Sequence, residues 1–180
     1  MRLNITLIAE TMGKRSWGKT GMDVSADDLL LLREMAGRVR IQDLLYREAR
    51  AIDTRDWDLW RTCYTDDADV DWRENDAIRA PRDEAGAWLA KICENFVMPA
   101  YQHFVTNIEI RLMGDRAETR QLQLIPISLA SPGGGRQIAF SGIWFEDELA
   151  RDGRDWKIAK RVERLAWRHN FPEAYQTPEA

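Results

Sequence analysis

Between His103 and Trp167 four long strand-like runs follow one another with almost nothing between them. They span His103 to Met113, Ala117 to Ala130, Gln137 to Leu149 and Trp156 to Trp167. The joints are Gly114-Asp115, the SPGGG of Ser131 to Gly135 and the DGRD of Asp152 to Asp155. Gly and Asp tolerate the backbone conformations that tight turns require, so each joint reads as a hairpin. A parallel crossover needs about a dozen connecting residues or more, so these runs are expected to pair antiparallel. Such a meander leaves an apolar face that other elements must cover.

The first half supplies that cover. Ser25 is a predicted N-cap, with Asp27 and Asp28 in the first turn where the helix dipole favours acids. Leu31, Met35, Val39, Ile41, Leu44, Leu45 and Ile52 carry a helical period to Asp53, with a break expected near Gly37. DWDLWRTCY reads as a short second helix capped by Asp56, and DADVDW as a brief strand. RDEAGAWLAKICENFV reads as a third helix, with Pro99 just past its end. The predicted fold class is α+β, with three N-terminal helices packed into a strongly curved antiparallel sheet. Residues 23–168 would form the domain, 1–22 a poorly ordered extension and 169–180 a tail.

Charge and composition narrow the function. A net charge of −4 does not suit a nucleic-acid backbone binder. The longest apolar run is Leu29 to Leu32, flanked by acids and an Arg, so no membrane span is expected. The N-terminal patch is interrupted by Asn4 and Thr6 and lacks a small-residue cleavage site, which argues against a signal peptide. Cys63 and Cys93 have no CxxC spacing and suit structural thiols in a reducing cytoplasm.

One residue breaks the helical stripe. Ile41, Leu45, Glu48 and Ile52 share a face, which places the Glu48 carboxylate on the buried side, where an unpaired charge is costly. Glu48 could equally pair at the core edge with Arg47 or near Arg50. Asp53 closes the same helix, either facing inward or capping the TRDW loop. The DDADVD of Asp66 to Asp71 alternates like a calcium loop, but Trp72 and Ile78 stand where such a loop needs Gly and Glu. No His/Cys cluster suggests a metal. Ser128, Ser131 and Ser141 lack the context of a nucleophile, and neither cysteine has a flanking signature.

Histidine is the side chain whose ordinary pKa, about 6.5, suits general-base work at neutral pH. The chain has His103, opening the first long strand, and His169, in what reads as a surface tail. On that strand His103, Val105, Asn107, Glu109 and Arg111 form the polar face. Phe104, Thr106, Ile108, Ile110 and Leu112 form the apolar one, expected to face outward as a subunit interface. Trp72 could line a cavity for a flat ligand.

The order IQDLLYREARAIDTRDWDLW, DADVDW, QHFVTN, SGIWFEDEL and WKIAKR resembles the SnoaL-like families of the nuclear transport factor two superfamily, over about Asp27 to Trp167. The resemblance implies a cone-shaped α+β fold around a deep pocket. Within the superfamily the chain looks most like scytalone dehydratase and lindane dehydrochlorinase, elimination enzymes that use no cofactor. Their Asp–His dyad falls on Asp53 and His103, their aromatic pocket residue on Trp72, and a polar functional position on Glu48. Scytalone dehydratase carries a second catalytic His where this chain reads LIPIS, and a Tyr where it has Ile52, so scytalone is not the expected substrate. LYREARAIDTRDWDLW also resembles the β subunit of aromatic ring-hydroxylating dioxygenases, a non-catalytic assembly subunit.

The expectation that follows is a cofactor-independent lyase for a small hydrophobic, aromatic substrate, with no metal, nucleic-acid or membrane partner. His103 would take a proton, Asp53 would orient the imidazole, and Glu48 would act as acid or orient a leaving hydroxyl. Trp72, Ile52 and Ser141 would contact the substrate. A homodimer or homotrimer is expected.

Overall fold

The computed structural model describes residues 25–95 and 100–172. The expected extension over 1–22 and most of the expected tail lie outside these. The chain divides into two units, Met1–Leu32 and Arg33–Ala180. Of the first, the described part is Ser25 and the opening of the first helix. There Ser25 Oγ accepts from the Asp28 amide at 3.0 Å and the Asp28 carboxylate accepts from the Ser25 amide at 3.0 Å. This is a reciprocal cap that satisfies two amides at a helix start.

Helix α1 runs Ala26–Thr54 and α2 Trp57–Thr62. Strand β1 (Tyr64–Asp71), a 3₁₀ turn (Arg73–Asn75) and β2 (Arg79–Pro81) follow, then α3 (Arg82–Asn95). The remainder is β3 (Ala100–Tyr101), β4 (Phe104–Met113), β5 (Arg116–Ala130), β6 (Arg136–Asp152) and β7 (Asp155–His169). The strands form one curved seven-stranded sheet in the order β2-β1-β7-β6-β5-β3, with β4 also paired to β5. The four long strands are joined as the hairpins that the turn residues imply. The expected all-antiparallel sheet is corrected at one edge, because β1 lies parallel to β7. No hairpin links those two strands, and the long intervening chain permits either direction. Three α-helices are present among the described residues, but α3 follows β1 and β2 and does not precede the sheet.

Helix α1 buries Ile41, Leu44, Leu45, Glu48 and Ala51. The four apolar residues pack in one core with Trp60, Tyr64, Phe145, Leu149, Trp156 and Ile158. Full burial of each large apolar side chain contributes roughly 1.5–3 kcal/mol. The expected break at Gly37 is absent. A Cβ there would lie 3.3 Å from Leu112 Cδ1, so the glycine serves a close approach of the sheet to an unbroken helix. Leu31, Met35 and Val39, read as part of the apolar stripe, are exposed. α3 meets α2 in the same way, since a Cβ at Gly86 would lie 2.7 Å from Trp60 Cζ3.

Two extra residues decide what faces the interior. Asn107, at φ 50°, belongs to a bulge between the Thr106↔Leu122 and Glu109↔Arg120 pairs. Beyond a bulge the side-chain alternation reverses. Val105 and, past the bulge, Ile108, Ile110 and Leu112 therefore all pack on the core. The predicted outward apolar face of this strand is thus corrected, and with it the argument that made that face a subunit interface. On β7 the pairs Leu149↔Ile158 and Glu148↔Lys160 leave Ala159 unopposed. Trp156 and Ile158 face inward before it, Arg161 and Glu163 after it. His169, read as part of a tail, ends β7 and is exposed. Among the described residues no helix is long and apolar enough to cross a membrane.

Candidate active site

A cavity of about 200 Å³ opens between the sheet, α1 and α3. Its walls are mainly apolar, with Ile52, Trp72, Trp88, Leu89, Ile125 and Ile143 prominent. Trp72 follows β1 directly and is buried. Its ring lies 5.9 Å from Trp88, so these two indoles form an aromatic wall, and Trp60 backs Trp72 at 6.4 Å. Ser141 faces inward from β6 and also lines the cavity. The expected residues Glu48, Ile52, Trp72, His103 and Ser141 thus share one space, with Asp53 directly behind His103.

The last turn of α1 carries Asp53. The helix ends beyond it because Arg55 adopts φ 56°, and the Asp56 amide returns to the Ala51 carbonyl at 2.8 Å. Asp53 therefore projects toward the chain entering β4. His103 Nδ1 lies 2.6 Å from Asp53 Oδ1, and the His103 backbone amide is 3.1 Å from each carboxylate oxygen. A carboxylate accepts, so Nδ1 carries the proton and Nε2 is the basic nitrogen. The imidazole is 10% exposed, and the Tyr101 ring meets it edge-on at 5.9 Å. Tyr101 in turn donates to the Ile52 carbonyl at 2.9 Å, tying β3 to the end of α1. Burial pushes the Tyr101 phenol and the Cys93 thiol upward, so both stay protonated.

Glu48 is 1% exposed and closely held. Its Oε1 accepts from Trp60 Nε1 at 3.0 Å and from Tyr64 Oη at 2.9 Å. Its Oε2 lies 2.8 Å from Arg161 Nη1, an ion-pair contact whose angle falls short of a hydrogen bond. Arg161, equally buried, grips Asp147 through Nε and Nη2 at 2.7 and 2.9 Å. Sequence reasoning singled out Glu48 but neither of these partners. The strand alternation alone places Lys160 and Val162 on the Ile158 face, and only the bulge turns Arg161 inward.

The same slip brings in Glu163, a second unforeseen residue. It is 6% exposed and lines the cavity. Asn75, at the end of the 3₁₀ turn, donates through Nδ2 to Glu163 Oε1. Arg168 braces that turn, donating to the Asn75 side-chain and backbone oxygens and to Asp76. Burial is the largest influence on Glu163 and pushes its carboxyl up to about 8, against the Asn75 bond and the Arg161 and Arg168 charges.

The acids of DDADVD are tied to arginines, Asp66 to Arg82, Asp69 to Arg79 and Asp71 to Arg73. The Arg73 hydrogen bond holds the Asp71 carboxyl down at about 2. Among the described residues no group of three or more His, Cys, Asp and Glu side chains converges as a metal site requires.

Comparison with known proteins follows the same lines. A protein of Mycobacterium tuberculosis (strain ATCC 25618 / H37Rv), "Uncharacterized protein Rv2910c", is 33% identical over 135 residues, 75% of this chain and 89% of its own. A Novosphingobium aromaticivorans protein, provisionally named a scytalone dehydratase, superposes with a TM-score of 0.69 at 16% identity, covering 79% of this chain and 92% of that one. The hexachlorocyclohexane dehydrochlorinase LinA-type3 of Novosphingobium barchaimii superposes with a TM-score of 0.63 at 19% identity, covering 82% and 98%. At these identities the two solved structures show a shared fold. The SnoaL-like domain family matches residues 33–162, which hold Asp53, His103, the aromatic wall and the buried Arg161. On that match the chain belongs to the SnoaL-like family.

Proposed function

We propose that the protein is a cofactor-independent lyase that starts elimination from a small hydrophobic, aromatic molecule by removing a proton with His103. The observation that carries the reading is the 2.6 Å contact between His103 Nδ1 and Asp53 Oδ1 beside a largely apolar cavity. Asp53 holds the imidazole in the tautomer whose Nε2 can accept a proton, and its charge stabilises the imidazolium that results. The backbone bonds from His103 to the same carboxylate fix the pair as a unit. Trp72 and Trp88 offer ring faces for an aromatic substrate, and a mainly apolar wall strengthens the electrostatics of the dyad. A positioned base of this kind contributes about 10²–10⁴-fold in rate.

In this reading Glu48 is a positioning residue, and neither of the two roles expected from the sequence, acid or orienter of a leaving hydroxyl, is assigned to it. Its oxygens are engaged by Trp60, Tyr64 and Arg161, so its work is to hold Arg161 at the cavity wall. The dehydratase and dehydrochlorinase neighbours support an elimination. An open cavity with an oriented histidine supports an enzyme over a scaffold subunit, whose interior has no need of either.

The test is turnover of a panel of small aromatic alcohols and chlorides, each with a C–H next to the carbon bearing the leaving group, followed by proton NMR. Alkene formation by the wild type and its loss in His103→Ala supports the proposal. Equal alkene formation by both proteins contradicts it.

A further inference from the structure

Glu163 is a nine-tenths buried carboxyl on the cavity wall that the dyad does not use. One of its oxygens is occupied by Asn75, and the other takes no hydrogen bond from any described residue. The residues that orient it are themselves braced. Asn75 is gripped by Arg168, Arg168 also binds Asp76, and Arg164 ties the same 3₁₀ turn down through Glu74. A buried carboxyl with one face fixed and the other open to an apolar cavity is arranged to meet a ligand atom.

We propose that Glu163 is the acid of this site and donates its proton to an oxygen of the substrate, so that the substrate is a small oxygenated aromatic and the group it loses is water. This rests on His103 being the base. The step balances as follows. His103 Nε2 takes a proton from carbon, and the C–H electron pair becomes the new C=C bond. The adjacent C–O bond breaks, and the departing oxygen takes the Glu163 proton and leaves as water. Imidazolium and carboxylate then return to their starting forms by exchange with solvent. Chloride leaves as an anion and needs no proton, so a built acid points to oxygen as the leaving atom.

The charged groups around Glu163 agree with this assignment. The Asn75 hydrogen bond and the Arg161 and Arg168 charges on β7 favour its ionised form, while burial, with Glu48 on α1 acting in the same direction, outweighs them and keeps the proton on to about pH 8. A carboxylic acid kept neutral at neutral pH is a hydrogen-bond donor.

Binding of acetophenone and of cumene, an isosteric hydrocarbon without the oxygen, tests the inference through quenching of tryptophan fluorescence. The wild type is expected to bind acetophenone about tenfold more tightly than cumene well below the pH at which Glu163 loses its proton, and to lose that preference well above it. In Glu163→Gln the preference should no longer depend on pH. Equal affinities for the two probes at the lower pH, or the same pH dependence in Glu163→Gln, would overturn it. Absence of binding by either probe contradicts the aromatic-pocket reading and this inference together. His103→Ala should keep the oxygen preference. A protein that shows no preference but loses turnover on that substitution therefore contradicts the acid and not the dyad.

Discussion

Asp53 binds His103 twice over, through the ring at 2.6 Å and through the backbone amide at 3.1 Å. The carboxylate thereby fixes both the position of the imidazole and its tautomer. Asp53→Asn keeps the shape but presents an amide that can turn its N–H toward the ring, favouring the wrong tautomer. Turnover is expected to fall by about a hundredfold or more. Circular dichroism should remain that of the wild type, and activity near the wild-type level would show that the ring needs no orienting acid.

Arg161 neutralises two buried carboxylates at once, Glu48 and Asp147. Arg161→Met removes the shared cation and leaves both acids without it, at an expected cost of about 3–5 kcal/mol in urea unfolding. Glu48→Gln leaves the Arg161–Asp147 pair intact and is expected to cost less, about 1–3 kcal/mol. If Glu48 were the proton donor, its substitution would instead remove activity and spare stability.

Glu163 makes stability depend on pH in a definite direction. The folded chain keeps this proton to about pH 8, whereas an unfolded chain releases it near the ordinary value of 4.5. Between those values the folded state binds more proton, so stability falls as pH rises through the window. Glu163→Gln removes the titration, so the variant should gain on the wild type across that range, by on the order of a few kcal/mol. Parallel stability–pH curves for the two proteins would contradict the buried, protonated state.

Asn107 holds the bulge that turns Ile108, Ile110 and Leu112 to the core, and does so at φ 50°. Asn tolerates this region and a β-branched residue does not. Asn107→Val is expected to destabilise by about 1–2 kcal/mol, and Asn107→Gly to be close to neutral. Thermal denaturation of the two variants distinguishes them, and equal melting temperatures would remove the bulge from the account.

The same bulges explain what could be read in advance. Turn residues marked the four long strands, because hairpin chemistry is local. Helix periodicity exposed Glu48 for the same reason, whereas Asp53 and His103 were paired only through the family resemblance, because a helix-end Asp and a strand-opening His lie fifty residues apart and nothing local links them. Arg161 and Glu163 were not, because one unopposed residue at Ala159 sets which alternate positions face inward. No local composition announces that slip. The parallel β1–β7 pairing was hidden too, since it depends on how two segments distant in sequence meet and not on any turn. Exposure of Leu31, Met35 and Val39 escaped the stripe argument because periodicity shows that a face exists, not that something covers it.

In the proposed function, proton abstraction by His103 is the step on which every other role depends, and it can be tested without knowing the natural substrate. The direct measurement is exchange of the methyl protons of acetophenone with D₂O, followed by proton NMR in the presence of wild type, His103→Ala and Asp53→Asn. The wild type should accelerate exchange by about a hundredfold or more over both variants. Equal exchange in the wild type and His103→Ala would contradict the account.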